Sequence, residues 1–202
     1  MSIFLSGPVV LPGRYQVRLT VGDESWTQPF EILPDPRRHE TPEGVRAQHD
    51  LLVKINAKLT EANDAVNQIR DLTGQIDAWQ KRGKGEERIA QAAASAEAVR
   101  KTLRDVEQAL FKTEPDTDLH YTATLKLSGR LAALKFAVDF SDYAPTTQAT
   151  AVYEELAGKV DAQLDRLRQT LQDDLSRLNQ QIHDAKLPAI APRPAVENER
   201  GD

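Results

Sequence analysis

Four histidines, His39, His49, His120 and His183, are the side chains of this chain best suited to bind a metal or move a proton near neutrality. Their spacing suits neither a zinc nor a di-metal site. None belongs to an HExxH pattern, and none stands three residues after a glutamate, the arrangement by which helical bundles hold paired metals. They read as solvent or interface histidines. Among the acids, Glu154 and Glu155 are adjacent on a helical pattern, so their side chains diverge by about 100° and cannot flank one glycosidic bond. Asp173 with Asp174, Asp139 with Asp142, and Glu86 with Glu87 read in the same way, as surface charge or helix-end acids.

Gly83-Lys84-Gly85 has the glycines and lysine of a phosphate loop but lacks a preceding strand and a following Ser or Thr, and reads as a turn between helices. Ser6, Ser25, Ser95, Ser128, Ser141 and Ser176 have no GxSxG context. Trp26 and Trp79 could stack on a sugar or a base. Their positions favour packing instead: Trp79 continues an apolar helical stripe, and Trp26 shares a strand face with Phe30 and Ile32. The reading is of a chain with no catalytic, cofactor-binding or metal-binding residues, and not an enzyme in itself.

Composition narrows the partners. The net charge of −5 arises from interspersed acids and bases. Duplex nucleic acid is therefore not expected, because phosphate binding needs a clustered basic face. The longest apolar stretch, Leu131 to Phe140, is broken by Lys135 and falls short of the roughly 20 residues of a membrane span. Cysteine is absent, which removes disulfides and thiol chemistry and leaves the compartment open. Residues 1–12 lack a basic start, and Gly7 and Pro8 interrupt them, so no signal peptide is read there. The expectation is either a cytosolic protein or a piece of a longer chain.

Three kinds of element must position these residues. Tyr15, Val17, Leu19 and Val21 alternate with polar residues, and Trp26, Gln28, Phe30 and Ile32 follow a proposed four-residue turn, Gly22 to Ser25. This is a β-hairpin, marginal by itself in water, which must pack on the helices, pair with another chain, or be the remnant of a larger sheet. Thr41-Pro42-Glu43 starts a helix: a hydroxyl cap, a proline at the first helical position and an acid at the positive pole. Its stripe, Leu52, Ile55, Leu59, Ala62, Val66, Ile69, Leu72, Ile76 and Trp79, implies a rod of about 60 Å.

Helix 2 is expected over 86–113 on the seam Ile89, Ala92, Ala96, Val99, Leu103, Val106 and Leu110. Pro115 ends it, and Asp116 or Asp118 caps a third helix with Tyr121, Leu125, Leu131, Leu134 and Val138 inward. Helix 4, over 146–186, repeats every eleven residues in three rows: Tyr153, Leu164 and Leu175; Leu156, Leu167 and Leu178; Val160, Leu171 and Ile182. That period drifts opposite to the heptads of the first two helices, which predicts weak net supercoil. The fold class is mainly α: an up-down-up-down four-helix bundle with two long and two shorter helices, plus a short N-terminal β-hairpin. The expected division is 1–38 hairpin, 39–187 bundle and 188–202 a disordered tail.

The strings LPGRYQVRLTVG (Leu11 to Gly22), WTQPFEI (Trp26 to Ile32) and PDPR (Pro34 to Arg37) resemble the last two strands of an immunoglobulin-like module. That module precedes the helical C-terminal region of bacterial sortilin-like, BNR-repeat β-propeller proteins, often labelled glycosyl hydrolases. EANDAVNQIRDL (Glu61 to Leu72), APTTQ (Ala144 to Gln148), VYEEL (Val152 to Leu156) and LPAI (Leu187 to Ile190) resemble that helical region. The resemblance covers nearly the whole chain to Ile190.

It implies an exported or periplasmic bacterial parent whose propeller and immunoglobulin-like domains lie upstream and are partners of this chain. It transfers no catalytic residue, because no propeller is present. The expected function is a non-catalytic structural or interaction module. Two alternatives are an accessory substrate-contacting surface of a glycosyl hydrolase, through Trp26, Tyr143 or Tyr153, and a homodimerising helical adaptor, joined through the hairpin.

Overall fold

The computed structural model describes residues 7–37, 41–82, 87–111, 125–140, 143–184 and 190, with side chains left aside at 82 and 87–91. Two strands, β1 (Gly13–Val21) and β2 (Glu24–Ile32), precede helices α1 (Pro42–Arg82), α2 (Glu87–Leu110), α3 (Leu127–Asp139), α4 (Thr147–Gln169) and α5 (Leu175–Asp184). A single π-helical turn, Thr170–Asp174, joins α4 to α5 with helical backbone at both junctions, so the two form one rod. Four helical rods, two long and two shorter, with an N-terminal antiparallel hairpin are the fold class that the apolar periodicities predict. The loop at 83–86, the cap at Asp116 or Asp118, Tyr121 and the tail from 191 lie outside the described residues.

The chain divides into two compact units. The first comprises Met1–Asn56 and Ala132–Tyr153. Its hairpin pairs Gly13 with Ile32 through to Val21 with Glu24. The turn is therefore two residues, Gly22 and Asp23, where the sequence suggested four. Gly22 explains the difference: its φ of +58° lies in the left-handed region that tight hairpin turns require, which lets Glu24 and Ser25 join the ladder. Thr20 and Ser25 then share a hydroxyl hydrogen bond of 3.0 Å. Ahead of β1, the Tyr15 hydroxyl donates to the Leu11 carbonyl at 2.6 Å and ties the entering chain to the strand.

Helix α1 begins as its composition predicts, with the Gly44 N–H donating to Thr41 Oγ1 at 3.1 Å. Thr146 caps α4 likewise, accepting from the Ala149 N–H at 3.1 Å. Leu51, Leu52, Ile55 and Val138 are buried. Beside them the buried Gln48 amide donates to the Val138 carbonyl at 2.7 Å, which answers two polar groups inside an apolar layer.

The second unit comprises Ala57–Leu131 and Glu154–Asp202. Ala62, Val66, Ile69, Leu72, Ile76 and Trp79 of α1 are buried, with Leu59 partly so. On α2 all of Ala92, Ala96, Val99, Leu103, Val106 and Leu110 are buried. Two ion pairs give α1 and α2 opposite directions: Arg70 with Glu107 at 2.7 Å and Asp77 with Arg100 at 3.3 Å. Asp105 of α2 meets Arg166 of α4 at 3.4 Å, and α2 also packs on the π-turn and α5, so α2 and the α4 rod are antiparallel too. Within this unit the three rods run up, down, up, and α4 takes the direction of α1. Strict alternation in chain order expected α3 as the third rod and the α4 rod as the fourth, opposed to α1; of α3 this unit holds only Leu127–Leu131.

Along the α4 rod the buried set is Leu156, Val160, Leu167, Thr170, Leu175, Leu178 and Ile182. The five-residue step from Thr170 to Leu175 spans the π-turn, whose closing bond runs from the Leu175 N–H to the Thr170 carbonyl. A wide turn thus absorbs part of the eleven-residue spacing and returns Leu175 to the inward face.

Candidate functional site

Helix packing scatters the residues that suggested chemistry. His49 is half-buried on α1 with Nδ1 3.6 Å from the Asp50 carboxylate, and His183 on α5 is exposed with Nδ1 3.6 Å from Asp184. His39 and His120 lie outside the described residues. No group of three or more metal-binding side chains comes together among the described residues. Glu154 and Glu155 are exposed, and Glu155 forms an ion pair with Lys159 one turn on, whose hydrogen bond holds the Glu155 carboxyl below its ordinary range. Ser128 is buried, and its Oγ has no hydrogen-bond partner among the described residues.

A groove of about 300 Å³ lies beside the π-turn, lined by Thr102, Arg166, Thr170, Asp173, Asp174 and Arg177 among others. A π-turn beside a groove is a common setting for a ligand. Here its charges answer one another. Arg166 faces Asp105, Arg177 lies 3.5 Å from Asp174, and the Thr170 hydroxyl donates to the Arg166 carbonyl at 2.9 Å. A hydrogen bond from Lys101 holds the Asp105 carboxyl below its ordinary value, with Arg166 adding to the effect. Among the described lining residues each arginine therefore faces a carboxylate.

The contrast between the tryptophans is more informative. Trp79 is 2% exposed on the inward stripe of α1, as its position predicts. Trp26 is 50% exposed, which corrects the expectation of a packed residue. The hairpin register places Trp26 opposite Leu19 and Phe30 opposite Tyr15, so these residues, with Val17 and Val21, form one apolar face. The other face carries Arg14, Gln16, Arg18, Thr20, Ser25, Thr27 and Glu31. Among the described residues Tyr15 and Phe30 lie 5.8 Å apart between ring centres, and Val17, Leu19, Val21, Trp26 and Phe30 are all exposed. Sequence alternation identified this face, but not whether anything covers it.

Large exposed apolar side chains are concentrated in the first unit. Val9, Val10, five hairpin residues, Leu33, Val53, Phe136, Phe140, Tyr143 and Val152 all belong to it. In the second unit the exposed example among the described residues is Phe111, and the Arg70 guanidinium lies over its ring at 5.6 Å. Phe136 of α3 and Phe140 just past its end, stacked at 5.6 Å, had given no sequence signal beyond their type. Tyr143 is exposed, whereas Tyr153 donates its hydroxyl to the Lys54 carbonyl at 3.5 Å.

The fold defines a class: a mainly helical protein with one N-terminal antiparallel hairpin, one face of which carries exposed apolar side chains. No described helix is long and apolar enough to cross a membrane. No family model, no curated protein and no solved structure matches this chain.

Proposed function

We propose that the chain is a non-catalytic structural or interaction module, the C-terminal part of a larger exported protein of the BNR-repeat, sortilin-like kind. In this reading its helices are a scaffold, and its hairpin completes a sheet with an upstream immunoglobulin-like module. The observation that carries the reading is the segregation, among the described residues, of exposed apolar side chains into the unit that holds the hairpin. A contiguous apolar patch marks an interaction surface. The Tyr15 hydroxyl bond to the Leu11 carbonyl adds support, because immunoglobulin-like sandwiches use such a tie at the start of a late strand.

The test extends the chain upstream through its own reading frame, with Trp79→Phe so that Trp26 alone reports. The expected result is a blue-shifted Trp26 emission and reduced quenching by iodide relative to the shorter chain. Unchanged quenching beside a folded upstream region would count against the reading.

A second reading, an accessory surface that contacts a carbohydrate substrate, draws on the exposure of Trp26 and Tyr143. Titrating glycans against Trp26 fluorescence tests it, and a flat response across a broad panel removes it.

A further inference from the structure

The two edges of the hairpin are not equivalent, and the difference follows from its register. In an antiparallel pair joined by a two-residue turn, the residues flanking the turn exchange both backbone hydrogen bonds, and the next pair turns its N–H and C=O groups outward. Val21 and Glu24 flank the turn. The bonded pairs are then Val21 with Glu24, Leu19 with Trp26, Val17 with Gln28 and Tyr15 with Phe30. The outward-turned groups belong to Thr20, Arg18, Gln16 and Arg14 on β1, and to Ser25, Thr27, Pro29 and Glu31 on β2.

Pro29 thus falls at an outward position. It removes no bond from the ladder, and it removes one donor from the middle of the outer edge of β2, a recognised means of blocking strand addition. The outer edge of β1 retains four consecutive outward N–H groups. The charges are also asymmetric. Across the polar face Arg14 stands opposite Glu31, but Arg18 stands opposite Thr27 and Gln16 opposite Pro29. Strand β1 therefore carries two cations, about 13 Å apart along the strand, beside an edge that no other described strand occupies. On the reverse side of the same strand Val17, Leu19 and Val21 are each more than half exposed.

We propose that the outer edge of β1, and not that of β2, receives an added strand from a partner polypeptide. That strand alternates apolar with polar residues and carries acidic side chains beside Arg14 and Arg18. The proposal rests on the reading above, that the hairpin is an incomplete sheet, and names the edge and the chemistry of the strand that completes it. Backbone bonds to Arg14, Gln16, Arg18 and Thr20 supply attachment. Apolar side chains of the added strand extend the row of Tyr15, Val17, Leu19 and Val21, and its acids pair with the two arginines.

The experiment uses the full chain and a synthetic extended peptide that alternates valine and threonine, with glutamate at the two sites that meet Arg14 and Arg18. Amide exchange is followed residue by residue by NMR. The expected result is at least about tenfold slower exchange at Arg14, Gln16, Arg18 and Thr20 on peptide addition, with Ser25, Thr27 and Glu31 unchanged. Gln16→Pro removes an outward donor without touching the ladder and should abolish the effect. Arg18→Glu should weaken the acidic peptide about fivefold and strengthen its lysine counterpart.

Protection at Ser25, Thr27 and Glu31 instead, or no protection at any peptide concentration, overturns the proposal. A dimer without peptide whose β1 amides are already protected also overturns it, by assigning the edge to a second copy. The two readings fail separately. Burial of Trp26 in the extended polypeptide with protection on the β2 edge leaves the module reading standing and refutes this one. Peptide protection on β1 with Trp26 still exposed does the reverse.

Discussion

Leu167 stands midway along the buried row of the α4 rod, at 3% exposure, with Leu156 and Leu178 eleven residues to either side. Burying such a leucine contributes about 1.5–3 kcal/mol, and a carboxylate in its place adds the cost of an unpaired buried charge. Leu167→Asp is therefore expected to unfold the second unit, seen as lost helical circular dichroism at 25 °C; an unchanged melting curve would show that the row is not core. Lys58 poses a gentler question. It bridges Glu61 and Asp161, each at 2.7 Å. Burial of the ammonium lowers its pKa, and the hydrogen bonds to Asp161 and Glu61 outweigh that, raising it above the ordinary 10.5. The folded-state pKa being the higher one, this stabilisation is complete below 10.5 and is lost as pH rises through the folded value. Lys58→Met should cost about 0.5–1 kcal/mol at neutral pH, with the difference from the parent shrinking in alkaline denaturant titrations.

Among the elements, those whose signal is periodic were legible, because burial acts on the same face turn after turn. The seams of α1 and α2 and the cap at Thr41 follow from residue type and spacing. The π-turn was not legible, because an eleven-residue repeat is met equally by a slow drift of a regular helix or by one widened turn. The two-residue hairpin turn was missed because Glu24 and Ser25 are polar and read as loop, whereas the ladder bonds backbone groups regardless of side chain. The exposure of Trp26 was not legible, since alternation defines a face but carries no information on what lies against it. The π-turn supports an element-scale prediction. Deleting Gln172 should convert it to an ordinary α-turn and keep Leu175, Leu178 and Ile182 inward, while deleting Ala162 rotates everything beyond it by about 100°. Thermal melts should show the first deletion losing markedly less stability than the second.

For the whole molecule, the two units differ in what they leave exposed. Among the described residues the second leaves Phe111 as its exposed large apolar side chain, with Arg70 over the ring, while the first keeps an apolar sheet face and the Phe136 and Phe140 pair exposed. A hydrophobic fluorescent dye should therefore bind the folded chain, and Leu19→Thr with Trp26→Thr should remove most of that signal without moving the helical melting transition. Dye binding that survives the double substitution would place the adhesive surface elsewhere.

The two bridges between α1 and α2 have a further consequence. Arg70 meets Glu107, and seven residues on Asp77 meets Arg100, so the sign of the charge alternates along each helix. Heptad seams tolerate sliding by one repeat, since every leucine or alanine would find an equivalent hole. Sliding one way would set Arg70 against Arg100, and sliding the other way would set Asp77 against Glu107. Each misaligned hairpin of helices would thus carry a repelling pair, and only one alignment escapes this frustration.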